Sequence, residues 1–132
     1  MTDWPPSRHA GPHSSPGFAF WHRFMDWQRG LNAALRPLAL TQPQFALLAV
    51  CGWLTRDAAA TTQAEVVALT GMDRMHVSQI LSRLQADGLI ARHASPQDHR
   101  QKSLTLTPLG AQRLASALPV VEAYDAAFFA HP

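Results

Sequence analysis

Apolar side chains recur along this chain first at one spacing and then at another. Phe20, Phe24, Trp27, Leu31 and Leu35 stand three and four residues apart, which predicts a first helix from Phe18 to about Leu35, closed by Pro37. Thr41-Gln42-Pro43-Gln44 joins an N-cap threonine, a proline near the helix start and a glutamine three positions on, so a capping box opens a second helix that runs to about Leu54. Its segment FALLAVCGWL is apolar on nearly every face and predicts a helix at the centre of the fold. Thr62 with Glu65 repeats the capping pattern and starts a short helix that ends at Gly71. Asp73 is the next N-cap, with Met72 and Val77 placed as a hydrophobic staple. In the helix that follows, Val77, Ile80, Leu81 and Leu84 form a buried stripe, and Gly88 supplies a left-handed stop.

Beyond Gly88 the pattern shortens. Leu-Ile-Ala-Arg-His and Ser-Leu-Thr-Leu-Thr flank a polar loop from Ala94 to Lys102 and read as the two strands of a hairpin. Thr107-Pro108 begins a last helix to about Phe129, in which Pro119 removes one backbone donor and should produce a kink. The fold class expected is therefore mainly α with one small β-hairpin, and no internal repeat interrupts it. Residues 1–17 hold four of the ten prolines, interspersed with Ser, Gly and His, and are expected to form a loose arm before a single domain over 18–132. His9 and His13 lie in that arm without a Cys or carboxylate cluster beside them, so they read as solvated residues and no metal is expected.

Two helices joined by a glycine-containing turn, the second with a polar free face, form a helix-turn-helix, and a hairpin directly behind it makes a wing. Arg74, Met75, His76, Ser78, Gln79, Ser82 and Arg83 fall outside the apolar stripe of that second helix. An ordinary solvated face would mix carboxylates with its cations; here the acids, Asp73 and Asp87, stand only at the helix ends. Gln79 could pair bidentately with adenine, and the guanidinium groups could take phosphate or guanine. A net charge of +2 permits a nucleic-acid partner without requiring one.

With 47% hydrophobic and only 15% charged residues, the chain also has more apolar surface than a small monomer readily covers. A two-fold homodimer is expected through the first and last helices, with Leu118, Val121, Phe128 and Phe129 as interface residues. The single cysteine, Cys51, rules out an internal disulfide framework and lies in the most apolar helix, which predicts an inert core thiol rather than a redox sensor. The apolar run Phe45 to Leu54 is well short of the roughly 18 residues that span a bilayer, and the amino terminus lacks the pattern of a secretory signal. A cytoplasmic location follows by elimination.

The segments Thr41-Gln42 with Gln44-Phe45, TTQAEVVALTGMD, VSQILSRLQADGLIAR, and Asp98-His99-Arg100 followed by LTLTPLG occur in an order and spacing that resembles the MarR family of winged helix-turn-helix regulators, over roughly Phe18 to Phe129. The resemblance implies a DNA-binding lobe at about 41–107 and dimerisation helices at about 18–36 and 108–130. It further implies a dimeric repressor or activator on a palindromic operator, with a ligand-responsive repressor as the leading expectation. By position, Met75, His76 and Gln79 are the base-reading candidates in the major groove, Arg100 enters the minor groove, and Asp98 orients it; Arg74, Ser78, Ser82 and Arg83 are added from the helix face. Members of the family usually continue after the fifth helix into another that interlocks with the partner, whereas this sequence ends at Pro132. Their effectors commonly bind between the dimer-forming helices and the DNA-binding lobe, where Trp21, Phe24 and Trp53, with Trp27, are the aromatic candidates for a ligand pocket.

No Ser-His-Asp signature, HExxH or Gly-rich phosphate loop occurs, and no carboxylate pair stands beside a base, so neither an enzyme nor a cofactor is expected. The competing reading is a winged-helix protein-interaction module without DNA binding.

Overall fold

The computed structural model describes residues 3–57, 59–94 and 102–131. Five helices and a three-stranded antiparallel sheet follow one another as α1 (Pro16–Leu35), α2 (Gln42–Leu54), β1 (Thr61–Thr62), α3 (Gln63–Thr70), α4 (Arg74–Ala86), β2 (Ile90–Ala94), β3 (Lys102–Leu106) and α5 (Pro108–Phe129). The expected order of helices and hairpin is present.

Local chemistry accounts for most of the boundaries. The Thr41 hydroxyl accepts from the Gln44 amide, while the Gln44 side chain accepts from the Thr41 amide, so the capping box of α2 is complete. At α3 only half of the expected box forms. Thr62 caps the Glu65 amide, but the Glu65 carboxylate accepts from the Thr61 hydroxyl at 2.8 Å. Gly71 and Gly88 both adopt the left-handed conformation, φ 71° and 76°, that lets α3 and α4 stop where they do.

Two features depart from the pattern reading. First, α1 begins at Pro16, because Ser15 caps it and Pro16 takes the first helical position, where a missing N–H costs nothing; the expected arm therefore ends in a short 3-10 turn at Pro12–Ser14. Second, the dipeptide Thr61–Thr62 adds a third strand, pairing Thr61 with Leu104 and Thr62 with Ser103, in the order β1-β3-β2. The last helix, α5, runs from Pro108 through Pro119 to Phe129 as expected.

The core is one cluster. Leu31 and Leu35 of α1, Leu47, Leu48 and Cys51 of α2, Val66 of α3, and Ala117 and Val121 of α5 close around the whole α4 stripe of Val77, Ile80, Leu81 and Leu84. Leu89, Ile90 and Leu104 seal it from the sheet side. The α2 helix lies at the centre as expected, although Trp53 points out of it and is largely exposed. Helices α1 and α5 are tied together by the Trp27 indole donating to Asp125 at 2.8 Å and the Tyr124 hydroxyl donating to the Trp27 carbonyl at 2.9 Å. Among the described residues no single helix is long and apolar enough to cross a membrane.

The start of α5 leaves no room for a side chain at Gly110. A Cβ there would meet the carbonyl oxygen of Leu89, a backbone group that already accepts from the Thr107 amide at 3.2 Å. Gly110→Ala is therefore expected to lower stability by about 1–3 kcal/mol, the usual cost of overpacking, despite the better helix propensity of alanine. Thermal denaturation of the two proteins checks it.

Candidate nucleic-acid interface

The interface is built on α3, the turn and α4. Gly71 turns the chain, the Thr70 hydroxyl donates back to the Val66 carbonyl at 2.8 Å and accepts from the Met72 amide at 3.2 Å, and Asp73 caps α4 by accepting from the His76 amide at 2.9 Å. With one face of α4 locked into the core, the other is fixed outward. Arg74, Met75, His76, Gln79, Ser82 and Arg83 are exposed, and Met75 reaches 72%. An unbranched apolar side chain so far in solvent contributes nothing to the core.

Ser78 is the one member of the predicted set that is half-buried, and its carbonyl accepts from Arg92 on β2 at 3.4 Å. Arg83 is exposed but paired with Asp87 at 3.2 Å, one turn further along α4. An exposed pair of this kind is worth about 1 kcal/mol or less, so a phosphate can displace the carboxylate. Asp98 and Arg100 lie outside the described residues. On the described flanks of the wing, His93 and Lys102 are exposed and the Ser103 hydroxyl donates to the His93 carbonyl at 3.3 Å.

Arg92 is a site residue that the sequence pattern left without a role inside the first hairpin strand, Leu-Ile-Ala-Arg-His. In a strand, residues two apart share a face, so Arg92 follows the buried Ile90 inward; that spacing was the available signal. Its guanidinium is close enough to Cys51 to favour the thiolate there and pull the pKa down, although the sequence suggested no cation near that thiol. Burial is the larger influence and pushes the Cys51 thiol up from 9.0 to about 11. The core role is thus reached in spite of a nearby cation. A thiol ionising that high is almost wholly protonated at pH 7, so a thiol reagent should label the native protein far more slowly than the unfolded chain. Because the folded state disfavours the thiolate, this group's contribution to stability should be full below about pH 9 and lost as pH rises toward about 11; urea titrations across that range check the direction.

The aromatic candidates separate. Phe24 lines a groove of about 310 Å³ between α1 and α5, together with Phe20, Arg23, Trp27, Phe128 and Phe129. Trp21 is exposed and packs edge-on against Phe18, and Trp53 is exposed on α2 beneath the Arg56 guanidinium, 3.8 Å from its ring centre. Trp21, Phe24 and Trp53 therefore do not line a common cavity, because α2 turns Trp53 away from the face that carries Leu47, Leu48 and Cys51. Of the expected dimer residues, Leu118 and Phe129 are exposed and Phe128 is half-buried, whereas Val121 belongs to the chain's own core and is removed from the set.

Comparison with known proteins agrees with this geometry. A model described as the MarR family matches residues 40–101. The uncharacterized HTH-type transcriptional regulator YdcH of Bacillus subtilis is 38% identical over 124 residues, 94% of this chain and 84% of that protein. An HTH-type transcriptional repressor of Mycobacterium bovis is 32% identical over 96 residues, 73% of this chain and 66% of that one. The crystal structure of the Mycobacterium tuberculosis transcriptional regulator MOSR in complex with DNA superposes with a TM-score of 0.78 at 27% identity, covering 90% of this chain and 84% of that one. With a winged helix-turn-helix and an outward-facing α4, the chain belongs to the MarR family of transcriptional regulators.

Proposed function

We propose that this regulator binds double-stranded DNA as a homodimer, reading a palindromic operator and repressing transcription from it. The observation that carries the reading is the outer face of α4, held rigid by a fully buried stripe and exposing cations, amide and hydroxyl groups with carboxylates only at its ends. In this reading Met75, His76 and Gln79 address base edges, and Arg74, Ser78, Ser82 and Arg83 support them through phosphate contacts. Arg100, oriented by Asp98, enters the minor groove from the wing tip. The dimer is supported by the exposed Phe20, Phe24 and Phe129 on neighbouring faces of α1 and α5, an aromatic patch that a monomer would leave in water. Repression is supported by the mycobacterial relative named a repressor; response to a small-molecule effector is carried by family membership alone.

Selection of bound duplexes from a random pool tests the reading. The expected result is an enriched palindrome whose half-sites lie about one helical turn apart, as two-fold symmetry requires. No retention on DNA at low salt would instead favour the protein-interaction module, since phosphate-driven binding is strongest there. Sedimentation at micromolar concentration should give a dimer; a single 14.5 kDa species would remove the two-fold half of the proposal.

A further inference from the structure

Beside the exposed face of α4 lies a groove of about 460 Å³, lined by Thr62, Gln63 and Ala64 at the start of α3, Arg74 at the start of α4, Arg92 on β2, and Lys102 and Leu104 on β3. Among the described residues three cations and no carboxylate line it. The sheet register brings two of them together. Arg92 pairs with Leu104 and Ala94 with Lys102, so Arg92, Lys102 and the buried Leu104 project from the same face of the hairpin. The neighbouring acids among the described residues are engaged elsewhere: Glu65 accepts from the Thr61 hydroxyl and Asp73 caps α4.

Arg92 is incompletely satisfied by the described residues around it. Its Nε is buried without a hydrogen-bond partner, and among the described residues its guanidinium makes only a long bond, 3.4 Å, to the Ser78 carbonyl. A buried cationic donor left in this state is costly, and an oxyanion is the partner that a guanidinium fork matches best. The first amides of α3 also have no acceptor within their own helix. Arg74 belongs both to the groove and to the α4 face, so a duplex with α4 in its major groove brings its backbone past this opening.

We propose that the groove seats one backbone phosphate of the bound duplex, held by Arg92 and Lys102 with Arg74 beside them. The proposal rests on the DNA-binding reading above, and it makes Arg92 a joint between wing and recognition helix, contacting the Ser78 carbonyl on one side and the phosphate on the other. Such a contact fixes the register of the protein on the duplex without reading sequence.

The test uses the full chain, a selected duplex, and a series of duplexes each with one phosphate replaced by a neutral methylphosphonate. In wild type, one position per half-site should weaken binding when neutralised. In Arg92→Met and in Lys102→Ala, neutralising that same position should have little further effect, which a merely structural role would not produce. Each variant should also lower the salt slope by about 0.9 per protomer on selected and scrambled duplexes alike, so the affinity lost between 50 and 200 mM salt shrinks by about 3.5-fold per protomer. Lys102 is exposed, so Lys102→Ala carries the test should Arg92→Met fail to fold. Variants that bind DNA with the wild-type slope and phosphate pattern overturn the groove assignment while leaving DNA binding intact. A wild-type protein that binds no duplex at low salt overturns both. Stabilisation by inorganic phosphate that both variants abolish, with their DNA slope unchanged, would assign the groove to a free anion and overturn the DNA seat.

Discussion

Gln79→Ala is expected to lower affinity for the selected operator by about 1–3 kcal/mol per half-site, and so by about 2–6 kcal/mol for a dimer, while leaving binding to scrambled DNA nearly unchanged. The residue is exposed in the middle of α4, one turn beyond His76 and on the side opposite Ile80 and Leu81. Its amide offers a donor and an acceptor side by side, the pair that adenine presents in the major groove, and alanine offers neither. Even the lower limit is about 30-fold in dissociation constant. Truncation of a surface glutamine should leave the fold alone, so denaturation midpoints should agree within experimental scatter. Titration of both duplexes at two salt concentrations is the measurement. Equal binding of Gln79→Ala and wild type to both would remove this helix face from base reading.

Leu81→Ala should have the converse signature. Leu81 is completely buried in the α4 stripe, and truncating a leucine in a closed core costs about 2–5 kcal/mol through lost transfer energy and the cavity left behind. Every group on the outer face of α4 remains, so at a temperature well below the new midpoint the operator affinity should stay close to wild type. Calorimetry and a binding titration on the same sample separate the two effects. If the variant unfolds cooperatively yet has lost the operator, then packing beneath α4 sets the pose of its outer face more tightly than the helix backbone alone.

These two residues illustrate what was legible in the chain. The stripe and the outer face of α4 followed from a 3.6-residue period, and the caps at Thr41, Thr62 and Asp73 and the stops at Gly71 and Gly88 followed from side chains acting on their own backbone. Such interactions span a few residues, so they appear in sequence as fixed spacings. The start of α1 was legible too, in Ser15-Pro16, but was obscured by the proline-rich composition around it.

What no spacing could reveal were the meetings between distant segments. Thr61–Thr62 becomes a strand only because β3 presents an edge to it some forty residues later in the chain. Val121 looked like an interface residue by hydrophobicity, and the approach of α5 to the core made it an interior one. Trp21, Phe24 and Trp53 are alike in chemistry, and helix orientation sends them to three different surroundings. The pairing of β2 with β3, and the packing of both against α3 and α4, turn Arg92 from a residue of the first hairpin strand into a cation beside Lys102 and Arg74. The sequence by itself determined the helices, their caps and the polar face offered to DNA, because those depend on local geometry. The tertiary structure decided which apolar side chains were core, where the third strand joined, and that three separated cations share one groove, because each depends on contacts between residues far apart in the chain.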